Sequence, residues 1–247
     1  VISGSLDGFD TVIHLAGAGI GDRRWNAKRK ELISKSRSIP TRNLAEHLAR
    51  CENPPATFIS GSATGFYGNR INETLDESSE AGKNYLATIC QEWESAAQPA
   101  ADAGIRTVWI RTGLVVTPMG GALKKLLLPS QLGGGGPVAG GRQYYSWISL
   151  DDQIYAIHHL MMTQSCSGPF NLTAPTPVTQ KIFAKTLGRV LRRPAFMPLP
   201  GFVLKIMFGE MGKALVIDGQ RVLPKRLEEI GYRFEHQDLE SCLRQCL

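Results

Sequence analysis

Val12-Ile13-His14-Leu15-Ala16-Gly17 opens a series of segments that decides how this chain folds. Ser60-Gly61-Ser62-Ala63-Thr64-Gly65-Phe66-Tyr67-Gly68 follows, then Arg111-Thr112-Gly113-Leu114-Val115, then Ser146-Trp147-Ile148-Ser149-Leu150-Asp151-Asp152. Each of the first three is a β-rich apolar run that ends in small or polar residues. Buried parallel strands deliver functional groups to the carboxyl edge of an open sheet in this way, and ligands of such sheets bind at that edge.

Working outward, strand-like runs at Thr11-Leu15, Thr57-Ser60, Thr107-Arg111 and Phe170-Thr173 alternate with helical stretches, which predicts a parallel sheet covered by helices. Ser38 followed by Pro40 reads as a helix entry, with Leu44, Ala45 and Leu48 as its buried stripe and Asn53-Pro54-Pro55 as its end. Leu86, Ile89, Cys90, Trp93 and Ala97 recur at helical spacing after the second strand, so that helix packs one face on the sheet. Leu132 to Gly141 holds six glycines and a proline and reads as a mobile loop, before a helix that starts at Asp151. Beyond Pro175, short helices are broken by Pro194, Pro198, Pro200 and Pro224, the texture of a smaller lobe.

Composition narrows the function classes. A chain of 247 residues with 43% hydrophobic content can bury a full core, and no apolar run approaches the roughly 20 residues that span a bilayer. The five cysteines stand apart without zinc spacing, which fits a reduced, cytoplasmic chain and no metal. Val1 is not a start methionine, so a targeting peptide is not addressed by this stretch. The net charge of +6 is dispersed except around Arg23, Arg24, Lys28, Arg29 and Lys30, which reads either as a solvated helix face or as attraction for a phosphate-bearing ligand. With no second basic stripe interleaved with aromatics, nucleic acid is not an expected partner.

Together the four segments resemble the extended short-chain dehydrogenase/reductase superfamily, in its atypical "epimerase family" branch of nicotinamide-dependent, nucleoside-diphosphate-sugar epimerase-like proteins. Arg23-Arg24-Trp25-Asn26, Ser36-Arg37, Trp93-Glu94, Gly140-Gly141-Arg142-Gln143 and Val222-Leu223-Pro224-Lys225-Arg226-Leu227 carry the likeness over nearly the whole chain. The resemblance implies an α/β fold: a Rossmann-like dinucleotide-binding domain at 1–173, with 118–146 contributing a loop to the substrate side, and a smaller C-terminal substrate lobe at 174–247. It also implies an opening strand with a Gly-x-x-Gly-x-x-Gly turn. Val1 falls beyond where that unit would stand, so the expected domain is truncated at its N-terminus.

The resemblance further implies a nicotinamide dinucleotide and a small carbonyl or sugar-nucleotide-like substrate, and Arg37 with the basic cluster favours NADP as cofactor, with NAD possible. The implied assembly is a monomer or homodimer without nucleic-acid or membrane partners. Leu15, Ala16 and Gly17 would face the cofactor, small residues there letting the backbone approach a flat ligand closely. Arg37 would reach phosphate or ribose oxygens as a forked donor. Ser60, Arg111, Gly113 and Val115 complete the expected cofactor set, with Arg111 meeting a carboxylate either of a ligand or, the stronger reading, of the core as half of a structural ion pair.

Ser62 and Tyr85 are the catalytic candidates that the resemblance supplies. In this superfamily a lysine four residues after the tyrosine lowers its phenol pKa, but here that position is Ile89 and Lys83 precedes instead. A phenol without a nearby cation titrates near 10 and is a poor base at neutral pH. Two readings therefore stand: an epimerase or reductase working through Ser62 and Tyr85, or a cofactor-binding sensor that has lost proton transfer. Asp151 or Asp152 is expected to cap its helix, and Tyr67 to be an aromatic wedge beside a turn glycine.

Overall fold

The computed structural model describes residues 6–247, so the first five residues of the expected 1–173 domain lie outside the described residues. The strands are β1 (Thr11–His14), β2 (Thr57–Ala63), β3 (Thr74–Leu75), β4 (Arg106–Thr112), β5 (Leu114–Val116), β6 (Tyr144–Tyr145), β7 (Trp147–Ser149), β8 (Gly168–Leu172), β9 (Val178–Thr179) and β10 (Arg221–Val222). The α-helices are α1 (Ala27–Leu48), α2 (Tyr85–Ala96), α3 (Gln98–Asp102), α4 (Gly121–Gln131), α5 (Leu150–Met162), α6 (Gln180–Val190), α7 (Gly201–Gly212), α8 (Lys225–Glu229) and α9 (Leu239–Cys246).

β1, β2, β4 and β8 form one parallel sheet in that order, the Rossmann-like arrangement expected from the alternation of strands and helices. Side chains alternate across it. Phe58 and Trp109 point to a layer with Ala45 and Leu48 of α1 and Ala97 and Ala100. Ile59, Val108, Ile110 and Phe170 point to the opposite layer, against Ala156 and Leu160 of α5 and Leu227, Tyr232 and Phe234. Covered on both faces, the sheet buries the continuous apolar runs that made its strands readable. The register sets His14, the last residue of β1, beside Ser60 in the middle of β2, and Ser62 beside Arg111, with the ends of β2 and β4 level at Ala63 and Thr112.

Two local expectations are corrected. The helix assigned to begin near Ser38 begins at Ala27, where the Asn26 side chain accepts from the Arg29 amide at 2.8 Å, and Pro40 lies inside it. An internal proline forgoes its own amide bond and crowds the carbonyl four residues back, a cost offset here by burial of Ile33, Thr41, Ala45 and Leu48, so that it need not mark a start. At α5, neither aspartate is the cap: Ser149 Oγ accepts from the Asp152 amide at 2.9 Å and donates to Asp152 Oδ2 at 2.8 Å. The serine caps the helix and Asp152, at its third position, holds the capping hydroxyl in place.

Candidate functional site

Beyond β1 the chain leaves the sheet edge with Leu15, Ala16 and Gly17 exposed. Two residues of α1 fix this exit. Ser36 Oγ accepts from the Ala18 amide at 2.9 Å, and Arg37 Nη1 donates to the Ala18 carbonyl at 2.9 Å and the Ile33 carbonyl at 3.1 Å. A Cβ on Gly17 would lie 3.0 Å from Arg37 Cγ and Cζ, a tight contact that would push the arginine side chain aside by a few tenths of an ångström. Arg37 therefore sits directly behind the exposed turn, its guanidinium 5.0 Å from the Trp93 ring centroid.

The end of β1 also carries His14, whose buried Nε2 has no hydrogen-bond partner in the protein, and its neighbour in register, Ser60, has an equally unpartnered Oγ. Burial holds the His14 imidazole below its ordinary pKa of 6.5. The unfolded chain thus takes up a proton that the folded chain resists, so stability is full above that value and lost as pH falls through the folded pKa. Thermal melts from roughly pH 7.5 to 5 should show the wild-type protein losing stability relative to His14→Gln. Parallel curves would contradict the burial of this ring.

Ser62, at the end of β2, donates to Glu94 Oε1 at 2.6 Å. The same carboxylate receives Arg111 Nε and Nη2, each at 2.9 Å. Arg111 Nη1 donates to the Tyr67 hydroxyl at 3.0 Å, and that hydroxyl donates to Asn171 Oδ1 at 2.7 Å. The guanidinium also lies over the Phe66 ring, 3.4 Å from its centroid. Burial opposes the charge on Arg111, but Glu94 outweighs it and holds the guanidinium above its usual pKa. Burial pushes the Tyr67 phenol up to about 12.

Arg111 is thus committed to a buried ion pair beneath the strand ends. Gly113 is set by packing: a Cβ there would meet the Ser146 carbonyl oxygen at 2.2 Å, where the Leu114 amide binds that same oxygen. Val115 pairs with Ile148 and leans on the core under the sheet. The structure therefore brings Leu15, Ala16, Gly17 and Arg37 to an open edge and holds Ser60, Ser62 and Arg111 beneath it.

Tyr85 is the first residue of α2, positioned by the Asn84 side chain, which caps the helix through the Ala87 amide at 2.9 Å. Its hydroxyl donates to the Lys30 carbonyl at 2.9 Å, and its ring meets Trp25 edge-on at 5.0 Å. The Lys30 ammonium stands 4.5 Å from the centroid of the Tyr85 ring and is paired with Glu210 of α7 at 2.6 Å. Burial raises the Tyr85 pKa, with partial relief from Arg37. Ile89, at the position where the superfamily supplies lysine, is 5% exposed within the core.

The sequence marked Glu94 only as part of the family likeness and Lys30 only as one of a basic cluster, and neither was expected at the site. The signal for Glu94 was a carboxylate directly beside a buried tryptophan on a sheet-facing helix. Lys30 lay hidden in the basic run.

Residues 3–172 match the model of the NAD dependent epimerase/dehydratase family, and residues 199–246 match a domain of unknown function. The chain is 38% identical over 239 residues to an epimerase family protein of Mycobacterium bovis, covering 97% of this chain and 79% of that protein. Among solved structures it is similar to a human epimerase family protein crystallised with NADPH, with a TM-score of 0.94 and 31% identity over 99% of this chain and 83% of that one. It is also similar to a nucleoside-diphosphate sugar epimerase from Corynebacterium glutamicum, with a TM-score of 0.78 and 34% identity over 98% of this chain and 46% of that one.

Proposed function

Since the chain belongs to the NAD-dependent epimerase/dehydratase family, we propose that it binds NADP(H) along the carboxyl edge of its sheet and serves an epimerase- or reductase-type reaction on a small carbonyl or sugar-nucleotide-like compound. One observation carries the reading: Leu15, Ala16 and Gly17 are exposed at the end of a parallel strand, and the chain just beyond them is held from behind by Ser36 and Arg37. That arrangement fits a flat dinucleotide, since Ala16 and Gly17 put almost no side chain between backbone and ligand. His14 Nε2 at the end of β1 and Ser60 Oγ beside it in the middle of β2, buried polar atoms without a partner, add to the fit. Similarity to the human protein solved with NADPH supports the phosphorylated cofactor over NAD.

In this reading Leu15 to Gly17 hold the cofactor, which when bound supplies hydride transfer, and Arg37 keeps their turn in shape. Residues 174–247 form the substrate lobe. Arg111 and Gly113 support the floor of the site, and Ser62 is kept oriented by Glu94. Calorimetric titration with NADPH and NADH tests the proposal, with tighter binding of NADPH expected. Gly17→Ala, whose new methyl displaces Arg37, is expected to weaken NADPH binding about tenfold. An unchanged affinity in that variant, or a preference for NADH, would reverse the respective assignment.

A second reading has a specific observation in its favour. The Tyr85 hydroxyl is bound to a backbone carbonyl, its pKa is raised, and no lysine follows at the fourth position. A protein so built binds NADP(H) without using Tyr85 as acid or base, as a sensor or partner-binding platform. Stopped-flow nicotinamide fluorescence across a panel of carbonyl compounds separates the two. If a turnover is found and survives in Tyr85→Phe, the tyrosine has no proton-transfer role. Tight binding without any oxidation of the cofactor supports the sensor.

A further inference from the structure

Phe202-Val203-Leu204-Lys205-Ile206-Met207-Phe208, the body of α7, is apolar on nearly every side. Helices of that composition are ordinarily enclosed. Here Leu204 and Met211 turn inward at 5% and 7% exposure, while Phe202, Ile206 and Met207 stand open at 65%, 70% and 56%. The segment that leads into the helix adds Phe196 and Met197, at 74% and 57%. Single exposed apolar residues are ordinary, but a run of this density marks a surface that something covers.

Charge identifies the cover. Arg192, Arg193 and Lys205 are exposed and form none of the described ion pairs. Between Arg189 and Lys213 the chain has five arginines or lysines and one acid, Glu210, whose carboxylate is taken by Lys30. A second copy docking by two-fold symmetry would lay this face against itself and oppose like charges. An anionic, apolar-cored surface satisfies both the exposed side chains and the unpaired cations. We propose that α7 and the segment before it dock on an anionic lipid bilayer, Phe202 and Ile206 entering the acyl boundary while Arg192, Arg193 and Lys205 meet headgroup phosphates. Lys205 stands between the two apolar anchors in sequence, where its long stem can lift the ammonium back to the headgroups.

Such a contact lies in the plane of the membrane surface and is independent of cofactor chemistry. Co-sedimentation with vesicles of phosphatidylcholine, with and without about a third phosphatidylglycerol, tests it. Binding is expected only to the anionic vesicles and is expected to fall steeply with added salt. Arg192→Glu with Arg193→Glu should cut it at least about tenfold, and Phe202→Ser with Ile206→Ser should abolish it. These side chains are already exposed, so an unchanged melting temperature verifies the fold of each variant. Failure to sediment with either vesicle, equal sedimentation with both, or variants that behave like the parent would overturn the proposal. A dimer in light scattering that disappears in the Phe202→Ser, Ile206→Ser variant would also overturn it, assigning the face to a second copy.

Discussion

Glu94→Ala is expected to destabilise the protein by about 3–5 kcal/mol, because it strands a buried guanidinium. Arg111 is 4% exposed, and Glu94 receives two of its donors. The loss would reach further than one pair. Ser62 would lose its acceptor, and the Tyr67 hydroxyl would be left beside an unneutralised charge that also stacks on Phe66. Urea unfolding measures the effect, and replacing both partners, Glu94→Leu with Arg111→Met, should recover much of it, since removing a buried pair is far less costly than breaking one. A loss below about 1 kcal/mol in the single variant would mean that the pair behaves as a hydrated surface bridge.

Asp152→Ala is the second large effect, again about 3–5 kcal/mol. The Asp152 carboxylate is fully buried and accepts four hydrogen bonds. At Oδ1 the donors are the Tyr232 hydroxyl at 3.0 Å and the Glu235 amide at 2.9 Å; at Oδ2 they are Ser149 Oγ at 2.8 Å and the His236 amide at 3.0 Å. Removing it leaves the Glu235 and His236 amides and the Ser149 hydroxyl without that acceptor, while the Tyr232 hydroxyl keeps only the Asp152 main-chain carbonyl at 3.2 Å, and so loosens residues 232–236 from the start of α5. Asp152→Asn keeps one acceptor oxygen, so its loss should be smaller. Equal midpoints for the alanine and asparagine variants in urea would contradict the count of satisfied donors.

Much of the scaffold was legible because strands buried on both faces need continuous apolar runs, and helices between them need a stripe. Thr57–Ala63 and the Leu86–Trp93 repeat carry those patterns without ambiguity. The cap of α5 was misread for a physical reason: Ser149 and Asp152 are both capping residues, and only their reciprocal bond in three dimensions decides which one terminates the turn. Pro40 misled in the same way, since tertiary burial carries α1 through a residue that local rules place at a start. The partner of Arg111 lay 17 residues earlier on a different element, and nothing local tied Glu94 to it. Ser62 and Tyr85 illustrate a further limit. Residue type made them candidates, but the directions of their hydroxyls, toward Glu94 and toward the Lys30 carbonyl, exist only in the fold.

The central claim is that the exposed turn at Leu15, Ala16 and Gly17 is a seat for NADP(H). A crystal structure of the protein grown with NADPH tests this most directly. The dinucleotide is expected against the main chain of those three residues, with Ser36 and Arg37 still bracing the turn from behind. Cofactor bound at another face, or a turn that stays bare while NADPH demonstrably binds, would contradict it.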